Sequence, residues 1–130
     1  MAMKLHHIGI ACSEIQEALA ELKKIYTVSS VGPVVFDSVQ NASLCMVETE
    51  HGINFELVTG DRVSGLLKRK QSYYHLCYEV SDLEAETLVM IAAGAVAITK
   101  AEPAVLFDNR RVRFFMTPTG MIELLEAGSQ

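Results

Sequence analysis

Hydrophobic and polar positions along this chain alternate between a period of two and a longer helical period, in an order that occurs twice. In Leu5-His6-His7-Ile8-Gly9-Ile10-Ala11, His7, Gly9 and Ala11 fall on one face and Ile8, Ile10 and Cys12 on the other, which predicts a strand. From Ser13 to about Tyr26 the spacing lengthens, and Ile15, Leu19, Leu22 and Ile25 make the buried stripe of an amphipathic helix. Ser13-Glu14-Ile15-Gln16 reads as its capping box. Gly32-Pro33 marks a turn, strands are expected over 34–39 and 42–47, and Glu50-His51-Gly52 turns the chain into a strand over 53–58.

The stretch 59–72 is polar and basic with only Val63, Leu66 and Leu67 apolar, so it reads as a linker with room for one helical turn. Beyond it the order returns. Tyr73 to Val80 predicts a strand, Ser81-Asp82-Leu83-Glu84 a second capping box, and 82–93 a helix closed by Gly94. Strands are expected over 95–100, 112–117 and 121–126, with 101–111 as a long connection containing Pro103, and 128–130 as a frayed tail. Two strands also match in content: Ile53-Asn54-Phe55-Glu56-Leu57-Val58 and Met121-Ile122-Glu123-Leu124-Leu125 each set one carboxylate among large hydrophobes after a glycine. His7 and His75 are 68 residues apart and Glu56 and Glu123 are 67 apart, so two independent features repeat at one period. The chain is read as a single domain of two modules, 4–58 and 73–127, joined by the linker 59–72.

Composition narrows the function. At 130 residues with half of them hydrophobic, the chain is long enough to bury a core. A net charge of −5 argues against a nucleic-acid surface, which needs a basic patch. No apolar run approaches the ~20 residues of a membrane span, and the N-terminus has no signal-peptide pattern, so the cytoplasm is the expected location and no membrane partner is expected. Cys12, Cys45 and Cys77 are odd in number and dispersed, which fits thiols in a reducing compartment rather than a disulfide framework or a thiolate zinc site.

Strand parity then sorts the polar residues. His7 faces away from the helix side, His75 shares its face with Cys77 and Glu79, Glu56 with Asn54 and Val58, and Glu123 with Met121 and Leu125. A buried carboxylate without a partner costs several kcal/mol or is driven to its neutral form. Two glutamates inside apolar strands therefore need a partner, and a divalent cation held by His7, Glu56, His75 and Glu123 provides one. Taken singly, each of the four is as well explained as a satisfied strand residue; it is the paired repetition that favours the metal.

The motifs His7-Ile8-Gly9-Ile10-Ala11, Glu56 in Phe-Glu-Leu-Val, His75 in Tyr-His-Leu-Cys-Tyr-Glu-Val-Ser-Asp-Leu and Glu123 in Gly-Met-Ile-Glu-Leu-Leu-Glu together resemble the vicinal oxygen chelate superfamily, the glyoxalase/bleomycin resistance/dioxygenase group. The resemblance runs from about Lys4 to Ala127 and is strongest to its methylmalonyl-CoA epimerase branch. It implies an α+β fold in which two βαβββ modules form a curved mixed sheet around a metal-binding cavity. It implies Co, Ni, Zn or Mn bound by His7, Glu56, His75 and Glu123, and a metal-stabilised enolate as the shared chemistry.

The epimerases carry a catalytic glutamate just before a glutamine on the third strand. The matching pair here is Val39-Gln40, so Glu123 is expected to act as both ligand and base, with Glu79 as the substitute. Gln40, Asn54, Cys77 and Met121 are candidates to touch substrate, Cys77 being equally readable as a small core filler. Arg110 and Arg111, after the turn Phe107-Asp108-Asn109, would meet a phosphate or carboxylate at the cavity mouth or else stand on a solvated hairpin. The expected activity is epimerase-like or isomerase-like proton abstraction beside the carbonyl of a small acyl thioester, such as a methylmalonyl-CoA-like substrate. A lactoylglutathione lyase-type enzyme and a metal-free small-molecule binding or resistance protein are the alternatives. Members of the superfamily pair modules within or between chains, so a homodimer is one arrangement to expect.

Overall fold

A computed structural model describes residues 3–128. The tail expected at 128–130 falls, for Ser129 and Gln130, outside the described residues. The chain divides into two compact units, one His7–Tyr74 and the other comprising the remaining residues. The described residues form ten strands and three α-helices, and strands pair both parallel and antiparallel.

The elements of the first unit are β1 (Lys4–Ala11, in this unit from His7 on), α1 (Ile15–Ile25), β2 (Val28–Val31), β3 (Val35–Asp37), β4 (Ala42–Thr49), β5 (Asn54–Gly60) and α2 (Asp61–Lys68). Its strand order is β2-β4-β5-β1, with β3 also on β4. β2 and β3 are one strand interrupted: Val31 pairs Val47 and Val35 pairs Leu44 along the same partner. The break falls at Gly32-Pro33, where proline has no N–H to donate to the ladder. Phe55 and Leu57 of β5 join Ile15 and Leu19 of α1 with Cys45 and Val47 in a buried cluster, and Ile8 and Ile10 pack against it. Burying each such side chain contributes about 1.5–3 kcal/mol.

The second unit repeats the plan with β6 (Tyr73–Val80), α3 (Leu83–Ala92), β7 (Val96–Ala97), β8 (Glu102–Ala104), a 3-10 turn (Val105–Phe107), β9 (Arg110–Thr117) and β10 (Gly120–Glu126). The order is β6-β10-β9-β7, with β8 also on β9, so the strand after the helix is again interrupted. Val80, Leu83, Phe115 and Leu124 form the buried cluster, with Tyr78, Met90 and Ile122 against it. Gly94, at φ +98, closes α3 in the left-handed conformation that favours glycine.

Several expectations are corrected. α1 begins one residue later than the Ser13 capping box requires: Glu14 is its N-cap and makes no side-chain cap bond. In α3 the cap is Asp82 rather than Ser81, its Oδ1 accepting the Ala85 N–H at 3.0 Å. The stretch 59–72 holds the eight-residue helix α2, with Val63 fully buried. β2 was not expected, because Val28-Ser29-Ser30-Val31 is an exposed edge with little apolar content. The strand expected over 95–100 shrinks to two residues, and the connection over 101–111 carries β8. The strand expected over 34–39 ends at Asp37.

Candidate metal centre

Each unit carries one histidine–glutamate pair on adjacent parallel strands. In the first, β1 lies beside β5 with Gly9 opposite Glu56, so His7 sits two residues behind the glutamate. Since Phe55 and Leu57 are drawn into the α1 cluster, alternation turns Glu56 to the other face, where His7 also points. His7 Nε2 lies 3.7 Å from Glu56 Oε1, and the two side chains are 0% and 4% exposed. In the second unit β6 lies beside β10 with Cys77 opposite Glu123, the same two-residue lead for His75. Ile122 and Leu124 face the α3 cluster, which turns Glu123 toward His75. His75 Nε2 lies 3.1 Å from Glu123 Oε1, again nearly fully buried, and Phe114 meets the imidazole edge-on at 5.2 Å.

These donors suit a divalent cation. Imidazole nitrogen and carboxylate oxygen match the borderline and hard first-row metals. With bonds near 2.1 Å, neighbouring donors of one ion stand about 3.0 Å apart in an octahedron and about 3.4 Å in a tetrahedron. The observed 3.1 and 3.7 Å therefore need adjustments of only a few tenths of an ångström.

The remaining candidates divide. Cys77 is fully buried on the His75 face, and Asn54 and Met121 are half-buried. Glu79, one step further along β6 and opposite Leu125, is ion-paired through Oε2 to Arg110 Nη1 at 2.7 Å. Arg111 is engaged elsewhere: its Nη2 binds Glu126 Oε2 at 2.6 Å and Glu84 Oε1 at 2.7 Å. The hydrogen bonds that Arg111 donates to Glu126 raise the Arg111 pKa, with Glu84 adding to it, and the same bonds hold the Glu126 carboxyl below its ordinary value. Arg110 lines a cavity of about 650 Å³ with Ser81, Asp108, Asn109 and Glu126. Gln40 turns inward and donates its Nε2 to Asp37 Oδ2 at 3.1 Å. Asp37, 2% exposed, also accepts the backbone N–H groups of Val39 and Gln40 through Oδ1. Sequence reasoning passed over Asp37, although Asp-Ser-Val-Gln after a strand is a pattern for such an aspartate turn. Val39 itself is 48% exposed and brings no acid to the turn. His51 is exposed, yet its Nε2 accepts the Thr27 N–H at 3.0 Å.

No helix among the described residues is long and apolar enough to cross a membrane. No curated protein matches the chain. Among solved structures, it is similar to methylmalonyl-CoA epimerase from Mycobacterium tuberculosis, at TM-score 0.79 and 19% identity, covering 97% of this chain and 89% of that one. A hypothetical protein from Bacillus halodurans follows at 0.77 and 19%, covering 100% and 98%. A Streptomyces coelicolor methylmalonyl-CoA epimerase variant in complex with 2-nitronate-propionyl-CoA gives 0.72 and 18%, covering 99% and 100%. At such identities the likeness speaks to the fold alone, the α+β glyoxalase fold with a mixed sheet. Residues 6–114 match the family described as the glyoxalase/bleomycin resistance protein/dioxygenase superfamily. The chain belongs to the glyoxalase/bleomycin resistance protein/dioxygenase superfamily.

Proposed function

We propose that this chain is a metal-dependent enzyme that removes a proton beside the carbonyl of a small acyl thioester, with an epimerase or isomerase outcome. The observation that carries it is the pair of buried histidine–glutamate couples set in identical register, His7 with Glu56 and His75 with Glu123. In this reading all four side chains hold one Co, Ni, Zn or Mn ion. The ion would polarise the substrate carbonyl and stabilise the charge that develops on its oxygen.

The rest is done by the protein. Glu123, almost wholly buried, accepts the α-proton at a carboxylate oxygen and returns it. The apolar wall of Phe114 excludes water from its side of the pair. The thioester substrate class is supported by similar structures described as holding 2-nitronate-propionyl-CoA and methylmalonyl-CoA. The enzyme would work in the cytoplasm as a homodimer, which light scattering after size exclusion tests.

The deciding experiment is titration of chelator-stripped protein with each metal, followed by solvent-deuterium uptake into methylmalonyl-CoA and other acyl-CoA thioesters. One ion per chain at micromolar affinity, about −8 kcal/mol, together with deuterium uptake, is the expected result. Absence of both overturns the proposal and favours a metal-free binding protein. A second reading has its own support: Val39 is exposed and brings no acid, as a lactoylglutathione lyase-type site relying on Glu123 alone would allow. Turnover of a glutathione hemithioacetal with none of the thioesters would select it.

A further inference from the structure

The geometry points to a phosphate-binding site in the turn Lys68-Arg69-Lys70 that ends α2, built for a nucleotide handle on the substrate, an inference that rests on the acyl thioester reading above. The chain carries a net charge of −5, yet this segment is all of one sign. From Arg62 to Tyr78 there is no aspartate or glutamate, and Arg62, Lys68, Arg69 and Lys70 all fall within that stretch. Lys68, Arg69 and Lys70 are exposed, and none of the three makes an ion pair among the described residues. Arg110 and Arg111, by contrast, are taken up by Glu79, Glu84 and Glu126. A cationic island on an otherwise acidic protein draws anions to itself.

The end of a helix accounts for one such cation, not three. The helix dipole favours a basic residue in the last turn, and Lys68 fills that place. Beyond it the chain closes in a Schellman motif: the Lys70 N–H donates to the Leu67 carbonyl at 3.0 Å and the Gln71 N–H to the Leu66 carbonyl at 2.9 Å. The left-handed position of that motif, which favours glycine, is held by Lys70 at φ +57. A charged side chain therefore stands where the backbone alone would prefer none. The turn is also anchored beyond the motif, because the Ser72 carbonyl accepts the Ala11 N–H at 2.7 Å. The cations are carried on a fixed scaffold.

That anchor is the end of β1, the strand of His7, and His7 and Ala11 share one strand face. By strand rise their α-carbons are about 13 Å apart. A substrate whose carbonyl lies at the His7–Glu56 pair would reach the turn only through an arm of about that length. An acyl-CoA has such an arm, the pantetheine that separates its thioester from a diphosphate and a ribose phosphate. Tyr73, 75% exposed, follows Lys70 by three residues and offers a ring on which a purine stacks. Cations for phosphates and a ring for a base make a phosphorylated adenosine the ligand class this surface fits. A bare acyl pantetheine lacks both.

The test compares an acyl-CoA with the same acyl group on pantetheine, using the metal-loaded full chain, and measures binding of adenosine 3′,5′-bisphosphate by calorimetry. In the combined variant Lys68→Ala, Arg69→Ala, Lys70→Ala, the ratio of kcat/KM for the CoA substrate to that for the pantetheine substrate should fall about tenfold. Bisphosphate binding should weaken by about the same factor, and the difference from wild type should largely vanish in about 0.5 M salt. Lys70→Gly should weaken the bisphosphate about threefold without lowering the melting temperature, since glycine suits φ +57. A substrate ratio within about twofold of wild type in the combined variant, or bisphosphate binding that is absent or equal in both proteins, overturns the inference alone. A wild type inert on both thioesters that still binds the bisphosphate through these residues overturns the functional reading and leaves the phosphate site standing.

Discussion

Metal addition to the stripped protein should raise its melting temperature, and the size of the shift can be worked out in advance. A ligand that binds only the folded state stabilises it by RT ln(1 + [L]/Kd), about 2.7 kcal/mol at a hundredfold excess over Kd. For 130 residues the unfolding entropy near 60 °C is about 0.27 kcal/mol per degree. A micromolar site in 100 µM metal should therefore raise the midpoint by about 10 °C. Glu123→Ala removes one donor from a side chain that is 2% exposed, where no solvent-borne carboxylate takes its place. The metal-dependent rise in this variant should fall to about 2 °C or less. Differential scanning calorimetry with Co, Ni, Zn and Mn, each reversed by a chelator, measures both. Equal shifts in wild type and Glu123→Ala would place the bound metal elsewhere, and no shift in wild type with any of the four would refute a metal site built from these residues.

Other expectations follow from single contacts. Gly60→Ala should cost about 1–3 kcal/mol in urea unfolding, because Gly60 has φ +132 and an added Cβ would meet the Asn41 carbonyl oxygen at 2.9 Å. Asp37→Ala removes the acceptor of two backbone N–H groups and of the Gln40 amide beside the buried Gln40 side chain and should cost about 1–3 kcal/mol, with Asp37→Asn costing less. Glu126 is held below its ordinary value of 4.5 by Arg111, so its contribution is complete above that pH and is lost as pH falls through the lowered value. Arg111→Ala should flatten that acid limb in a pH series of melting temperatures, and high salt should shrink the difference. Burial pushes the Cys12 thiol up to about 11, with a backbone hydrogen bond at Val58 partly offsetting it and Cys45 adding to it. A thiol reagent at pH 8 should leave Cys12 unlabelled until the protein is unfolded.

What could be read from the residues follows the strength of periodicity. β1, β6 and β10 alternate over seven or eight residues, and their faces were legible because a period of two leaves no choice once the helix side is known. The histidine–glutamate pairs were legible for the same reason. β2 and β8 are short strands of four and three residues whose pairing is fixed by β4 and β9, not by their own pattern. α2 was understated because Gly65 and a polar setting dilute the Val63, Leu66, Leu67 spacing, which is nevertheless helical. Which arginine meets which carboxylate was not legible. Arg110 and Arg111 point to opposite faces of β9, so neighbours in sequence find Glu79 and Glu126 respectively.

The identical lead of each histidine over its glutamate bears on how this chain can change without losing its chemistry. Phase within β1, β5, β6 and β10 is what places the donors. A single-residue deletion in any of these strands would reverse its alternation and carry the imidazole or carboxylate into the helix-packed cluster. Lengthening the segment between β8 and β9, where Asp108 and Asn109 already adopt left-handed backbone, leaves that phase intact. Variation in length should therefore be tolerated between strands and purged within them, and a library of one-residue insertions would map the boundary residue by residue.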